Sequence, residues 1–369
     1  MQNYIDLLKD IMENGHDHPD RTGTGRRSVF GRQLRFDLRK GFPIVTTRKA
    51  PYISAFKEML WFITGDINND NLNKLGVKYW DKWAVDEKSI DGLLDKIINK
   101  DLENYDEVVK VYKNYFSKYV GSIGPMYGNI WRFAPVNVAG AQNNAIWPDI
   151  NPMDIASDKL NHYMAQYAAE QPKDEKGEVI PVNGFLMAMY YSHVDQLQLL
   201  ITNLKKDPYS ARHVVTAWLP EYIPYSGVSP QENVLMGKGC LAPCHAFFQC
   251  FVTPNPEEGG KPLLSLNLYQ RSVDTPIGAV SNISQYALLL SLLAHVTDMI
   301  PYEFIYTLGD THIYANQLET VKEQIEREPK ALPKLTINPE KTDIYQITID
   351  DIKLEGYEHH DAINYPISV

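Results

Sequence analysis

Cysteine is scarce in this chain: three residues in 369, Cys240, Cys244 and Cys250, all within one stretch of eleven. So few thiols so close together exclude a disulfide-framed secreted scaffold and fit a reducing compartment. Cys240, Cys244 and His245 lack the second Cys/His pair that would complete a structural zinc site, so no metal is expected. Positive charge is also short. Against 46 Asp and Glu stand 36 Lys and Arg, giving a net charge of -10 and a pI near 5.5. That balance sets aside nucleic acid and membrane surfaces as default partners, and an anionic ligand would need a local basic pocket. No apolar run reaches the roughly 18 residues of a membrane span. Met1 to Met12 carries apolar and acidic residues at helical spacing, unlike a signal peptide. No internal repeat is visible. The expectation is a cytoplasmic globular protein, and 44% hydrophobic residues suffice for a large core in one large or two ordinary domains.

Leu241 to Val252 is the most informative stretch. Pro243 is followed at once by Cys244 and His245 and then by an apolar, aromatic segment of strand character. This spacing puts a thiol at the start of a buried strand, where it is either a small buried hydrophobe or a nucleophile beside its histidine. Asp20 to Gly25, Asp-Arg-Thr-Gly-Thr-Gly, reads as a cationic loop whose amides could wrap an oxyanion. Strands are predicted over Ser28–Leu38, His213–Leu219, Leu263–Tyr269 and Phe304–Thr307, and helices up to Gly15 and over Ile53–Thr64, Ser89–Lys118, Leu197–Leu204, Ile283–Met299 and Ala315–Arg327. Gln270, Arg271, Ser272 and Asp274 cluster where the third of those strands is expected to stop. Glu58, beside Met59, Leu60 and Trp61, either faces solvent or is held in a cleft with a raised pKa. Gly124–Gly128 marks a turn presenting Tyr127. About residues 137–190, rich in Asn, Ala, Pro and charge, read as an inserted excursion, and about 87–120 as a second insertion.

Taken in order, these stretches resemble the thymidylate synthase family and its nucleotide-hydroxymethylase relatives. The resemblance runs through Asp-Arg-Thr-Gly-Thr-Gly at 20, Glu-Met-Leu-Trp-Phe-Ile-Thr-Gly-Asp at 58, Trp-Asp-Lys-Trp at 80 and Gly-Pro-Met-Tyr-Gly at 124. It continues through Pro-Cys-His at 243, Leu-Tyr-Gln-Arg-Ser-Val-Asp at 268, Ser-Asn-Ile at 281, Gly-Asp-Thr-His-Ile-Tyr at 309 and Pro-Ile-Ser-Val at the end. It implies an α+β fold over residues 1–369 as a single catalytic domain, with a large mixed or antiparallel sheet flanked by helices and paired sheet to sheet in a homodimer. It further implies that a thiolate adds to C6 of deoxyuridylate (dUMP) and makes C5 take a one-carbon unit from 5,10-methylenetetrahydrofolate, with no metal. A neutral thiol is too weak a nucleophile for this step.

Residue by residue, the resemblance gives Cys244 as nucleophile. Glu58 exchanges protons through water, Tyr127 helps remove the C5 proton, Gln270 orients the nucleophile region, and His245 and Asp274 complete the catalytic set. Arg21, Arg271 and Ser272 hold the phosphate, joined by Arg212 from the other subunit, and their charge is expected to favour the thiolate of Cys244. Asn282 reads the pyrimidine edge, where cytosine-specific relatives carry aspartate, so uracil is the expected base. His312 and Tyr314 hold the sugar hydroxyl. Trp80, Trp83, Leu241, Asp274, Gly278 and Ser281 line the folate, and Val369 closes over it.

Two departures bear on the product. Where the family pattern has adjacent arginines, this chain reads Ala211-Arg212, and where it has Gly-Leu-Pro-Phe-Asn, this chain reads Gly278-Ala279-Val280-Ser281-Asn282. Replacing a buried phenylalanine with serine removes an aromatic contact of about 3 kcal/mol and offers water a hydroxyl. Thymidylate synthase, returning a hydride from the folate to give deoxythymidylate, and dUMP hydroxymethylase, using water to give the 5-hydroxymethyl nucleotide, both stay open. A nucleotide- or RNA-binding homologue without turnover is a third and more distant reading.

Overall fold

The computed structural model describes residues 1–20, 23–142 and 186–368, with side chains left aside at 136–142 and 186–192. In chain order the elements are α1 (Gln2–Asn14), β1 (His16–His18), β2 (Arg26–Asp37), α2 (Tyr52–Thr64), α3 (Asn69–Lys74), α4 (Glu87–Ile97), α5 (Tyr105–Phe116) and α6 (Tyr127–Phe133). There follow β3 (Ala134–Gln142), β4 (Leu186–Val194), α7 (Gln196–Lys206), β5 (Val214–Thr216), α8 (Pro230–Leu235), β6 (His245–Thr253) and β7 (Leu263–Asp274). The chain ends with α9 (Val280–Val296), β8 (Ile300–Tyr314), α10 (Leu318–Ile325), β9 (Lys334–Ile337) and β10 (Ile352–Glu355). The fold class is α+β, as the resemblance implied.

The chain divides into two compact units, Met1–Trp131 with Leu197–Val369, and Arg132–Gln196. In the smaller unit β3 and β4 pair antiparallel and Arg132 bonds Asp195 at 2.6 Å. Most of the excursion expected at 137–190 lies outside the described residues. The stretch 87–120 folds in the larger unit as two helices where one was expected, because Asn99 to Asn104 supplies turn formers rather than helix periodicity.

A six-stranded sheet in the order β1-β2-β8-β7-β6-β5 forms the larger unit's frame, antiparallel except for the parallel pair β7–β8. Strand alternation gives it two faces. Leu34, Phe36, Phe248, Cys250, Leu266, Leu268, Phe304 and Tyr306 face the core, where α9 lies with Leu288 to Leu290, Leu292 and Leu293 fully buried. Gln33, Arg35, Phe247 and Phe251 take the opposite, open face. The segment Thr275–Val296 is long and apolar enough to cross a membrane by composition, although no single apolar run showed it, but most of it is buried in this core. Such a helix, apolar nearly all round, belongs at the centre of a large protein.

Three strand or helix boundaries move, and each move matters to the site. β7 does not stop at Tyr269 but runs on to Asp274, since its parallel pairing with β8 continues to Asp274 opposite His312. Likewise β8 spans Ile300–Tyr314, so Gly309 to Tyr314 is strand and not loop. A Cβ at Gly309 would meet the Arg271 carbonyl oxygen at 2.6 Å, which explains the glycine inside that strand. Tyr127 opens a helix instead of sitting on a turn. A Cβ at Gly128 would lie 1.8 Å from the Phe62 carbonyl oxygen, so this glycine lets α6 approach α2 and seats the Tyr127 ring 5.0 Å from Phe62.

Candidate active site

Cys244 is the residue before β6, between Pro243 and a register irregularity at His245/Phe247. Pro243 offers no N–H and the irregularity interrupts the ladder, so regular strand pairing does not extend through Cys244. The Cys244 N–H donates to the Tyr127 hydroxyl at 3.0 Å and its carbonyl accepts from Arg271 N at 2.9 Å. Arg271 donates from Nε to the Pro243 carbonyl at 2.9 Å and from Nη2 to the Ala242 carbonyl at 2.7 Å, with Nη2 also 3.8 Å from Cys244 Sγ. None of these bonds uses Nη1, which leaves that pair of donors for an anion.

The expectation that nearby cations favour the thiolate is corrected in its balance. Burial pushes the Cys244 thiol above its ordinary value, and the Arg271 guanidinium draws it down by less. Burial likewise raises Tyr127 well above the usual phenol range. His245 is buried, stacked on Tyr127 at 4.7 Å and edge-on to Tyr286 at 5.1 Å, and desolvation lowers its pKa to about 4. With its pKa that low the imidazole is too weak a base to take the thiol's proton, so proximity in sequence does not make His245 its base.

Glu58 settles its two alternatives in favour of the cleft. It is buried on α2, desolvation raises its pKa to about 7, and it accepts from Trp80 Nε1 at 2.7 Å and from Gln285 Nε2. Trp80, held 5.9 Å from Trp83 by an edge contact, is thus turned toward the carboxylate. Asn282 lies at the start of α9, where its Oδ1 accepts from Gln270 Nε2 at 3.1 Å and its Nδ2 donates to Gln285 Oε1 at 2.9 Å. Gln270 in turn accepts from the Tyr306 hydroxyl. Asp274 accepts at the start of the π-helical turn Thr275–Ala279, from Ile277 N at 3.3 Å and from Gln317 Nε2 at 3.1 Å, and burial raises its pKa.

A cavity of about 390 Å³ lies against this group, lined by Glu58, Asn282, Gly278, Ser281, Arg48, Tyr79 and the C-terminal residues Ile363, Asn364, Tyr365 and Ile367. Ala279 and Val280 turn into the core, fully buried, which leaves Ser281 and Asn282 as the α9 side chains on the cavity wall. Arg48 is buried with its Nε unpartnered and its Nη2 on the Pro276 carbonyl at 2.6 Å. A long aromatic ligand ending in carboxylates suits such a lining: apolar side walls, a polar edge at Asn282 and a buried cation with a donor to give.

Of the other expected residues, Ser272 lies on β7 opposite Asp310 of β8. His312 is buried with Nδ1 3.3 Å from Asp310, and Tyr314 is edge-on to it at 5.1 Å. Leu241 packs half-buried on the core and does not line the cavity. Arg212 is exposed in the turn before β5, away from the bonds around Cys244. Arg21 and Val369 lie outside the described residues. Sequence reasoning missed Gln285, Tyr306, Gln317 and Arg48. Gln285 had a signal, a lone amide three residues after Asn282 in an apolar helix and so on the same face; nothing in Thr46-Thr47-Arg48-Lys49 set that arginine apart.

A thiol beside a guanidinium, a buried carboxyl with a raised pKa and a hydrogen-bonded amide thus come together in one site. The family model described as Thymidylate synthase matches residues 2–369, and the chain belongs to that family. Its members are one-carbon transferases that act on dUMP with methylenetetrahydrofolate as cosubstrate.

Proposed function

We propose that this protein transfers a one-carbon unit to C5 of dUMP through a Cys244 adduct at C6, releasing deoxythymidylate and dihydrofolate. The observation that carries this reading is the grouping of Cys244 Sγ, 3.8 Å from Arg271 Nη2, with Tyr127 on its backbone N–H and a hydrogen-bonded Glu58–Gln285–Asn282 chain beside the cavity. Arg271 Nη1, Ser272 and Arg21 hold the phosphate, and His312 and Tyr314 the sugar. Asn282 reads the base. Glu58, with a pKa of about 7, carries a proton to and from the base edge at neutral pH. Tyr127 stays a phenol there, so it relays the C5 proton rather than ionising. The methylene group is supplied by methylenetetrahydrofolate, for which Gly278, Ser281, Arg48 and the C-terminal residues form the lining, with Trp80, Trp83, Leu241 and Asp274 behind and Val369 closing it.

A homodimer is part of the reading. The open sheet face exposes Phe30 (78%) and Phe251 (61%), and Phe247 stacks on Tyr269 at 5.7 Å. An apolar face of this kind on a large sheet is fit for burial against a second copy. In that dimer Arg212, exposed in the turn before β5, would join Arg271 from the second copy. A cytoplasmic location accords with the free thiols.

Ser281 favours a second product. Its hydroxyl on the cavity wall, with the Tyr79 hydroxyl interacting with Ser281 and Ser54, gives water a foothold beside Glu58. Water attack would then give 5-hydroxymethyl-dUMP and tetrahydrofolate. Mass spectrometry of the nucleotide with absorbance at the dihydrofolate wavelength decides: a methyl nucleotide with dihydrofolate supports the synthase reading, and a hydroxymethyl nucleotide without it overturns that reading for the second. Absence of dUMP-dependent tritium release from C5 would overturn both.

A further inference from the structure

Gln285 has no part in that reaction, yet it is fully buried and joins its acid to its base reader. Its Nε2 donates to Glu58 Oε2 and its Oε1 accepts from Asn282 Nδ2 at 2.9 Å. Beyond Asn282 the chain continues through Gln270, whose Nε2 donates to Asn282 Oδ1 at 3.1 Å, to the Tyr306 hydroxyl, which donates to Gln270 Oε1.

The polarity of this chain is not free. Once Glu58 gives up its proton, above about pH 7, its carboxylate only accepts, so Gln285 must turn its nitrogen to Glu58 and its oxygen to Asn282. That oxygen in turn requires the Asn282 nitrogen, which leaves the Asn282 oxygen for Gln270. Each amide has two hydrogens and two lone pairs; the Asn282 oxygen serves Gln270 and His245 and one hydrogen serves Gln285, so one N–H, fixed in place, is left for a ligand. Uracil and cytosine present opposite donor and acceptor patterns at N3 and C4. A reader of fixed polarity therefore accepts one and rejects the other, since reversing it sets N–H against N–H at Gln270 and oxygen against oxygen at Gln285.

We infer that Gln285 is a positioning residue that passes the polarity of the Glu58 carboxylate to Asn282, so that choice of base depends on a side chain that does not touch it. The inference rests on the reading of the site as a dUMP pocket. Calorimetric binding of dUMP and dCMP to the full chain, with C5 tritium release from dUMP, tests it. In Gln285→Leu the preference for dUMP over dCMP is expected to fall about tenfold, the worth of one correctly directed hydrogen bond. Gln285→Glu still accepts from Asn282 and should keep the binding preference while facing Glu58 with a second carboxylate and losing turnover. Retention of the full preference in Gln285→Leu, or equal loss in both variants, overturns the inference while leaving the dUMP reading intact. A wild-type protein that neither binds dUMP nor releases tritium overturns the dUMP reading and the inference with it. If Gln285→Leu fails to fold, Glu58→Gln serves in its place: its end group no longer fixes the polarity, so the preference should relax about tenfold in binding, and an unchanged preference refutes the coupling.

Discussion

On the helical side of the site, Glu58, Gln285 and Asn282 are hydrogen-bonded to one another and to Trp80 and Gln270. On the strand side, Cys244 has a guanidinium nitrogen at 3.8 Å and His245 keeps a buried Nδ1 without a partner among the described residues. On the proposed function the contrast separates two tasks. Proton traffic and base recognition need groups whose orientation is set before the ligand arrives, since turning a buried amide breaks bonds it cannot replace. The nucleophile needs the reverse, a sulfur held by its backbone and left able to form a covalent bond.

Breaking the strand side should give the largest effect. Cys244→Ser is expected to lower turnover by about 10⁴-fold or more, measured as tritium release from C5 of dUMP; an undiminished rate would remove the covalent step from the account. Glu58→Gln attacks the helical side, and kcat should fall about 10²- to 10³-fold. It also carries a stability signature. The folded pKa of about 7 stands above the ordinary 4.5, so the fold favours the protonated acid; that contribution is full below pH 4.5 and is lost as pH rises through 7. The wild-type protein should lose up to about 3 kcal/mol across that window relative to Glu58→Gln, seen as diverging urea midpoints, and parallel midpoints would contradict the buried carboxylate.

A finer break is Trp80→Phe, which keeps the ring and removes the donor 2.7 Å from Glu58. A hydrogen bond to a charged group is worth roughly 1.5–3 kcal/mol, so the ionisation seen in the pH dependence of kcat should move up by about one pH unit. A shift downward would refute the bond. His245→Gln should have the smallest effect, within about tenfold, because a group with a pKa near 4 lacks the leverage of a general acid or base at neutral pH. The shape of the profile between pH 5 and 9 should not change; loss of an inflection there would restore His245 to an acid–base role.

Much of the strand side was legible in the chain itself. Pro-Cys-His ahead of an apolar run marked the candidate nucleophile, and Gln270 to Asp274 stood out as polar residues in a row, although that row proved to be strand through Asp274 rather than a strand end. Pairing with a neighbour decided its length, and pairing is not visible in one segment alone. The helical side was legible only in pieces. Glu58 was ambiguous because a carboxylate among apolar residues has two physical outcomes, and the choice was made by Trp80 and Gln285, 22 and 227 positions away. The balance at Cys244 was misjudged because charge can be counted in a sequence while desolvation cannot.

By itself the chain determined its class and its reactive groups: residue types, their order and their periodicity fix which side chains can ionise, attack or read a base, and which segments are apolar on one face. Only the tertiary structure decided their states. Burial moved Glu58 up to about 7 and His245 down to about 4, and packing of α9 against the sheet turned Gln285 into a link between acid and reader. The physical reason is that the cost of a charge and the direction of a hydrogen bond depend on what surrounds them, and those surroundings come from residues far apart along the chain.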